Sequence, residues 1–257
     1  MSDMGKSDAY KHKKCCRGIL VLGLPAIWIL IAILGVFLVF RRLCDFYRLD
    51  ICFLDLMRKF QDSVSMGIVI VPAAALANWA IHVKTYHAQS IVRLRTRKEI
   101  FDNMMKSSAL FAVYLAVVQI AGTFLIAGIF SIPANNWFSD SSFFYAETFS
   151  VVHIETGWVF LFACYCLFMK YLLIFILQDI CSWNRLGSVW CMLLFIGIGV
   201  VESRCQVPVF FDLINIRYGF VKNAQWYLLT VALCSIGAFI MIQAGRSFFE
   251  HRDYFQK

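Results

Sequence analysis

The chain has 257 residues, of which 61% are hydrophobic and only 16% charged, with a formal net charge of +8. A water-soluble domain is nearer half apolar and a quarter charged, so this composition, gathered into long runs, excludes an ordinary soluble enzyme. It implies an all-α polytopic membrane protein, expected as a single transmembrane domain over 1–257, with tails at 1–17 and 248–257 and a six-helix bundle at 18–247.

Six apolar runs are long enough to cross about 30 Å of hydrocarbon. They fall at 18–40, 64–83, 108–132, 154–178, 186–201 and 226–244, the fifth being the shortest. The first is too long for a signal-peptide core, and Arg41-Arg42 follows it instead of a small-residue cleavage site. Basic residues beside a span are retained on the cytoplasmic side of a membrane. With the N-terminus inside, the whole basic excess lies in the inner segments and the outer ones are near balance. Both termini are therefore expected in the cytoplasm. Positive charge held this close to the bilayer meets anionic lipid, which makes nucleic acid a poor partner.

The first span carries Pro25 near its start. Beyond it, Phe46, Leu49, Phe53, Leu56, Met57 and Phe60 recur at helical spacing, which predicts an outer amphipathic helix within 41–62 or a continuation of the first span. Arg41/Asp45, Asp55/Lys59 and Arg58/Asp62 stand four apart as candidate surface pairs. The second span holds Pro72, Asn78 and His82, and Asn78 should face other helices.

Residues 84–106, KTYHAQSIVRLRTRKEIFDNMMK, are too polar for a span and too apolar for a disordered linker. Their spacing predicts a basic amphipathic helix, lying on the anionic inner leaflet or docked into a cytoplasmic partner. The third span adds Gln119, and the 133–153 connection has no Lys or Arg. Lys170, in the fourth span, either snorkels to the cytoplasmic interface or turns into the bundle. Residues 202–225, broken by Pro208 and Gly219, are expected as two short helices dipping into the outer leaflet. The tail RSFFEHRDYFQK continues the sixth helix.

The ten cysteines are scattered. Cys44, Cys52 and Cys205 are expected outside, where they form one disulfide or remain free thiols, and no set has zinc-ligand spacing. The chain has no phosphate-cradling G-x-x-x-x-G-K-[ST] loop, no H-E-x-x-H and no G-x-S-x-G. The spans as drawn include no carboxylate of the kind an ion-coupled carrier uses. His153 with Glu155 is the nearest approach to an acid/base pair, and it lacks a third partner. No catalytic residue and no metal site is expected.

Six spans with both ends inside, the segment IVRLRTRKEIF between spans two and three, the Pro208-broken stretch before span six and the FFEHRDYFQK end resemble a type-2 ABC transporter permease of the small bacterial six-span group. The resemblance covers the full chain through its architecture and its basic stretch. It implies that residues 90–103 are a coupling helix for a separate ABC ATP-binding subunit, which binds the ATP. Arg93, Arg95, Arg97 and Lys98 would meet polar groups there, Glu99 would match a family glutamate, and Ile100 and Phe101 would be apolar anchors. It also implies that residues 205–222, with Pro208, Phe210, Phe211 and Gly219, form an outer re-entrant hairpin along the pathway. Spans two and five would face a second permease subunit. Asn78, Gln119 and Lys170 are the intramembrane polar residues. The expected function is export of a hydrophobic peptide, lipid or drug-like substrate across the plasma membrane. The competing readings are a scaffold, sensor or immunity protein acting through the same loop, and a membrane-embedded enzyme.

Overall fold

Apolar runs of this length close every backbone hydrogen bond within a helix, the arrangement that lipid permits. The computed structural model describes residues 4–83, 97–182 and 187–251. Its helices are α1 (Met4–Tyr47), α2 (Phe53–Lys59), a π-helical segment (Ser63–Ile70) that passes into α3 (Val71–Val83), α4 (Arg97–Ile129), α5 (Phe143–Thr148), α6 (Thr156–Cys181), α7 (Gly187–Cys205) and α8 (Ala224–His251). A single 3-10 turn spans Tyr218–Phe220. Among the described residues, six stretches are long and apolar enough to cross a membrane: Leu22–Tyr47, Ser63–His82, Lys98–Ile129, Thr156–Cys181, Gly187–Cys205 and Gln225–Glu250.

All six expected spans are present, most of them longer than drawn. Hydropathy locates the hydrocarbon-compatible part of a helix, whereas polar residues continue it wherever they find internal partners. Because α1 begins at Met4, Pro25 lies well inside it.

The most apolar window of α6 is 67% buried, against 22% in α1 and α8, so α6 is the axis of the bundle and those two are its outer members. α4 packs along α6, with Phe111 stacked on Phe175 at a ring-centroid distance of 5.5 Å. Gly122 of α4 receives the side chains of Leu30 and Ile33 from α1. Between apolar helices in lipid, close packing of this kind replaces the hydrophobic effect as the source of association. The π-helical segment and α7 pack closely, with main chain against main chain at Gly67 and Gly199.

The 41–62 stretch differs from its expected form. α1 runs on to Tyr47 and stops in a Schellman motif, with Leu49 N–H donating to Cys44 O at 2.8 Å and Arg48 in the left-handed region at φ 56°. α2 is separate and buried on most sides, from Phe53 through Met57. Of the three expected pairs, Arg41–Asp45 forms at 3.8 Å. Lys59 turns instead to Asp62 at 2.6 Å, and Arg58 reaches across to Glu147 at 2.9 Å.

The bundle has two unlike ends. One gathers the ends of α3, α6 and α8 with the starts of α4 and α7. The other is capped by α2, α5 and the 206–223 loop. These are the terminal end and the capped end.

Candidate functional site

At the terminal end, Arg97–Asn103 form the first turns of α4. Arg246 of α8 donates Nε–H to Asp102 Oδ1 at 2.7 Å. Beneath that pair Phe101 packs on Phe249 at 4.9 Å and lies over Gly245, where no side chain stands in its way. Lys98 and Glu250 face each other at 3.9 Å, half-exposed, which contributes little in water. Arg93 and Arg95 lie outside the described residues, and Arg97 is described only as the helix start. Ile100 and Phe101 differ from the expectation. They are 2% and 0% exposed, so the apolar surface assigned to an external anchor is spent inside the chain. Their i,i+1 adjacency at the end of a basic run points to a docking face, but the partner that covers Phe101 is the chain's own C-terminal helix.

One layer deeper, a polar cluster joins four helices. Asp179 of α6 is 1% exposed. Its Oδ2 lies 2.5 Å from Ser108 Oγ of α4, and its Oδ1 accepts from Asn78 Nδ2 of α3 at 3.2 Å. His82 Nε2 stands 2.9 Å from Ser108 Oγ and 3.6 Å from Asp179. Gln178 accepts from Asn78, and donates to Ala75 O at 2.7 Å and to Ser188 Oγ of α7 at 3.1 Å. The spans as expected held no carboxylate of the kind an ion-coupled carrier uses, whereas Asp179 is a buried carboxylate within the membrane-length helix Thr156–Cys181. The fourth span, drawn to end at 178, excluded Asp179 by one residue, because a hydropathy edge cannot tell an interfacial aspartate from one with internal partners.

Lys170 does not snorkel. It is fully buried, and its Nζ donates to Gln61 O at 2.6 Å. Gln119 Nε2 donates to Phe60 O at 2.9 Å and is itself held by Tyr171 Oη at 2.7 Å. Both side chains thus satisfy carbonyls left open where α2 ends, and Lys170 also sets a positive charge at the negative end of that helix. Asn78, Gln119 and Lys170 are therefore all interior, but they serve two separate places.

At the capped end, Glu202 is 2% exposed in the last turns of α7. Its carboxylate accepts the backbone N–H groups of Val209, Phe210 and Phe211. This binds the start of the loop back onto α7. Phe211 is fully buried against Gly67 and Phe195, while Phe210 is half-buried and Pro208 and Gly219 are exposed. Residues 206–217 form turns and extended chain in place of the two short helices expected, since Glu202 and Asp212 satisfy loop and neighbouring backbone donors that a helix would otherwise pair.

Asp55 organises the rest of this end. Its Oδ1 accepts from Trp137 Nε1 at 2.9 Å and from Tyr218 Oη at 2.5 Å, and its Oδ2 accepts from Cys52 N–H at 3.0 Å. Burial pushes the Asp55 carboxyl up, and the three donors offset only part of that. Burial, with Asp55 beside it, also holds the Tyr218 hydroxyl well above the usual tyrosine range. The Arg58 guanidinium lies 3.9 Å over the Tyr218 ring. Burial works against its charge, but Tyr218 and Glu147 outweigh burial and hold it firmly protonated. A cavity of about 130 Å³ opens here, lined by Asp55, Arg58, Asp62, Glu147 and Asp212 among others.

His153 lies flat against Phe138 at 6.1 Å, and Glu155 takes the position before α6. Cys44, Cys52 and Cys205 are free thiols, the first two buried. Among the described residues no cluster of three His, Cys, Asp or Glu side chains is placed to hold a metal ion. No family model, no curated protein and no solved structure matches the chain.

Proposed function

We propose that the chain is the membrane-spanning permease subunit of an ABC transporter, working with a second permease subunit to export a hydrophobic peptide, lipid or drug-like substrate. ATP is hydrolysed by a separate ATP-binding subunit. The basic residues orient the terminal end to the cytoplasm, in a plasma membrane.

The observation that supports this reading is the clasp between α4 and α8. The basic segment 84–96 runs without a break in sequence into α4, and α4 is fastened at its first turns to α8 by Arg246–Asp102 and Phe101–Phe249. A partner seated on the basic segment would therefore act on two long helices at once. Contact with that partner falls to Arg93, Arg95, Arg97 and Lys98, since Ile100 and Phe101 are occupied.

The test is co-purification with a co-expressed ATP-binding subunit. The combined substitution Arg93→Glu, Arg95→Glu, Lys98→Glu reverses the charge and keeps Ile100 and Phe101 in place, unlike a deletion through Phe101. The expected result is a folded permease that no longer retains the ATPase. Retention at the wild-type level would refute the assignment and favour a scaffold or immunity role.

A further inference from the structure

The polar cluster at the junction of α3, α4, α6 and α7 can be settled by counting protons. Ser108 has one hydroxyl proton and two lone pairs. Three atoms crowd its Oγ: Asp179 Oδ2 at 2.5 Å, His82 Nε2 at 2.9 Å and Asn78 Oδ1 at 3.2 Å. The orientation of Asn78 is not free. Both protons of its Nδ2 are used, on Gln178 Oε1 and Asp179 Oδ1, each at 3.2 Å. Turning the amide over would press Oδ1 against those two acceptors. Gln178 cannot turn to accommodate it, because its own Nε2 is committed to Ala75 O and Ser188 Oγ.

Charging His82 beside a protonated Asp179 would bury a cation with no anion to pair it, which leaves three protonation states to compare. With Asp179 ionised and His82 neutral, Ser108 gives its proton to Asp179, Asn78 Oδ1 is left facing a bare lone pair, and a carboxylate charge sits fully buried with no cation. With Asp179 ionised and His82 charged, the charges pair at 3.6 Å, but Nδ1–H becomes a buried donor, and His82 Nδ1 has no hydrogen-bond partner among the described residues. Asn78 Oδ1 is still unsatisfied. With Asp179 protonated on Oδ2 and His82 neutral, Asp179 donates to Ser108, His82 Nε2–H donates to Ser108, and Ser108 donates to Asn78. Every contact around Ser108 then has one proton, and no charge is buried.

We infer that Asp179 carries a proton in this packing, so that Asp179 of α6, Ser108 of α4, and His82 and Asn78 of α3 form a one-proton binding site between three helices. The ligand is a proton and not a metal ion. The 2.5 Å between Oγ and Oδ2 is a hydrogen-bond distance, whereas an ion between them would need about 2.0–2.6 Å to each oxygen. The titratable groups facing Asp179 among the described residues are His82 on α3 and the Cys191 thiol on α7, with Cys181 of α6 against Cys191. α4 presents Ser108, and no described lysine or arginine pairs with Asp179. Loss of the proton would leave an unpaired carboxylate, which must draw in water or part the helices. Proton occupancy therefore biases the packing of the terminal end. This holds whether or not the chain is driven by an ATPase.

The test is infrared spectroscopy of the purified full chain in detergent at neutral pH, reading the carbonyl stretch of a protonated carboxylic acid. The expected result is a band present in the wild type, retained in Asp55→Asn and lost in Asp179→Asn. The amide that Asp179→Asn introduces puts an N–H donor and a carbonyl acceptor in the same places, with one further N–H, so that variant should keep its fold. Ser108→Ala should move the band to higher frequency, because the acid loses its acceptor, and Ser108→Thr should restore it. These two variants keep the test valid even if Asp179→Asn fails to fold. A spectrum with no carbonyl band responding to Asp179 or Ser108, or a band removed by added sodium at constant pH, would overturn the inference.

Discussion

Gly199 of α7 and Gly67 of the π-helical segment meet backbone to backbone. A methyl group built on Gly199 would lie 2.9 Å from Ser63 O and 3.2 Å from Gly67 Cα. The π-helical turn brings this about, since Val71 N–H reaches back five residues to Met66 O and widens the helix where α7 leans on it.

Gly199→Ala should therefore destabilise the chain by roughly 1–3 kcal/mol, because the obstacle is main chain and cannot rotate aside. Gly67→Ala meets the Phe211 ring at 2.7 Å before it meets Gly199 Cα at 3.1 Å. Its cost should shrink when combined with Phe211→Ala, a coupling readable from thermal unfolding of the four variants in detergent.

Glu202 should prove indispensable for the loop and tolerant of no isostere. Glu202→Gln places an amide donor against one of three backbone donors, and Glu202→Ala leaves all three without an acceptor. A loss of roughly 1–3 kcal/mol is expected for Glu202→Gln and a larger one for Glu202→Ala, since each buried unsatisfied group costs about 1–3 kcal/mol. Hydrogen exchange at Val209–Phe211 should rise in both variants. Unchanged protection there would contradict the assigned role.

Asp55 predicts a particular sign of pH dependence. Its folded carboxyl binds a proton more tightly than the ordinary value of 3.8, so the unfolded chain gives that proton up first as pH rises. Its contribution to stability is whole below that value and is lost as pH climbs through the raised folded value. Asp55→Asn sets an amide donor against Cys52 N–H and should be less stable throughout. The midpoint of unfolding of the wild type, relative to this variant, should fall as pH increases from about 4. A difference that grows with pH would reverse the sign.

Gly245 separates binding from transmission in the proposed transporter. Any side chain there enters the Phe101 ring. Gly245→Val should leave co-purification with an ATP-binding subunit intact while abolishing ATPase stimulation in reconstituted vesicles. Stimulation at the wild-type level would mean that the α4–α8 contact transmits nothing.

The spans were legible because a run of apolar residues needs no partner to declare itself. The buried carboxylates were not. Asp55 stands four residues before Lys59 and reads as one half of a surface pair, yet its partners, Trp137 and Tyr218, are supplied from distant loops. Asp179 stands one residue beyond a hydropathy boundary, and Lys170 has two acceptable environments until Gln61 O is placed beside it. Ile100 and Phe101 illustrate the same limit. Their side chains demand cover, but the sequence does not say whether α8 or a separate chain provides it.

The length of α4 gives the clasp at Asp102 and Arg246 a geometric consequence. At about 1.5 Å per residue, its 33 residues make a rod of roughly 50 Å. A swing of about 5° about one tip displaces the other by roughly 4 Å over that length. That far tip, at Ile129, leads into the strand of chain around Pro133 that accepts a hydrogen bond from Phe53 N–H at 2.8 Å. A small rotation applied beside Arg97 would thus arrive at α2, on the opposite side of the bundle, as a shift longer than that hydrogen bond.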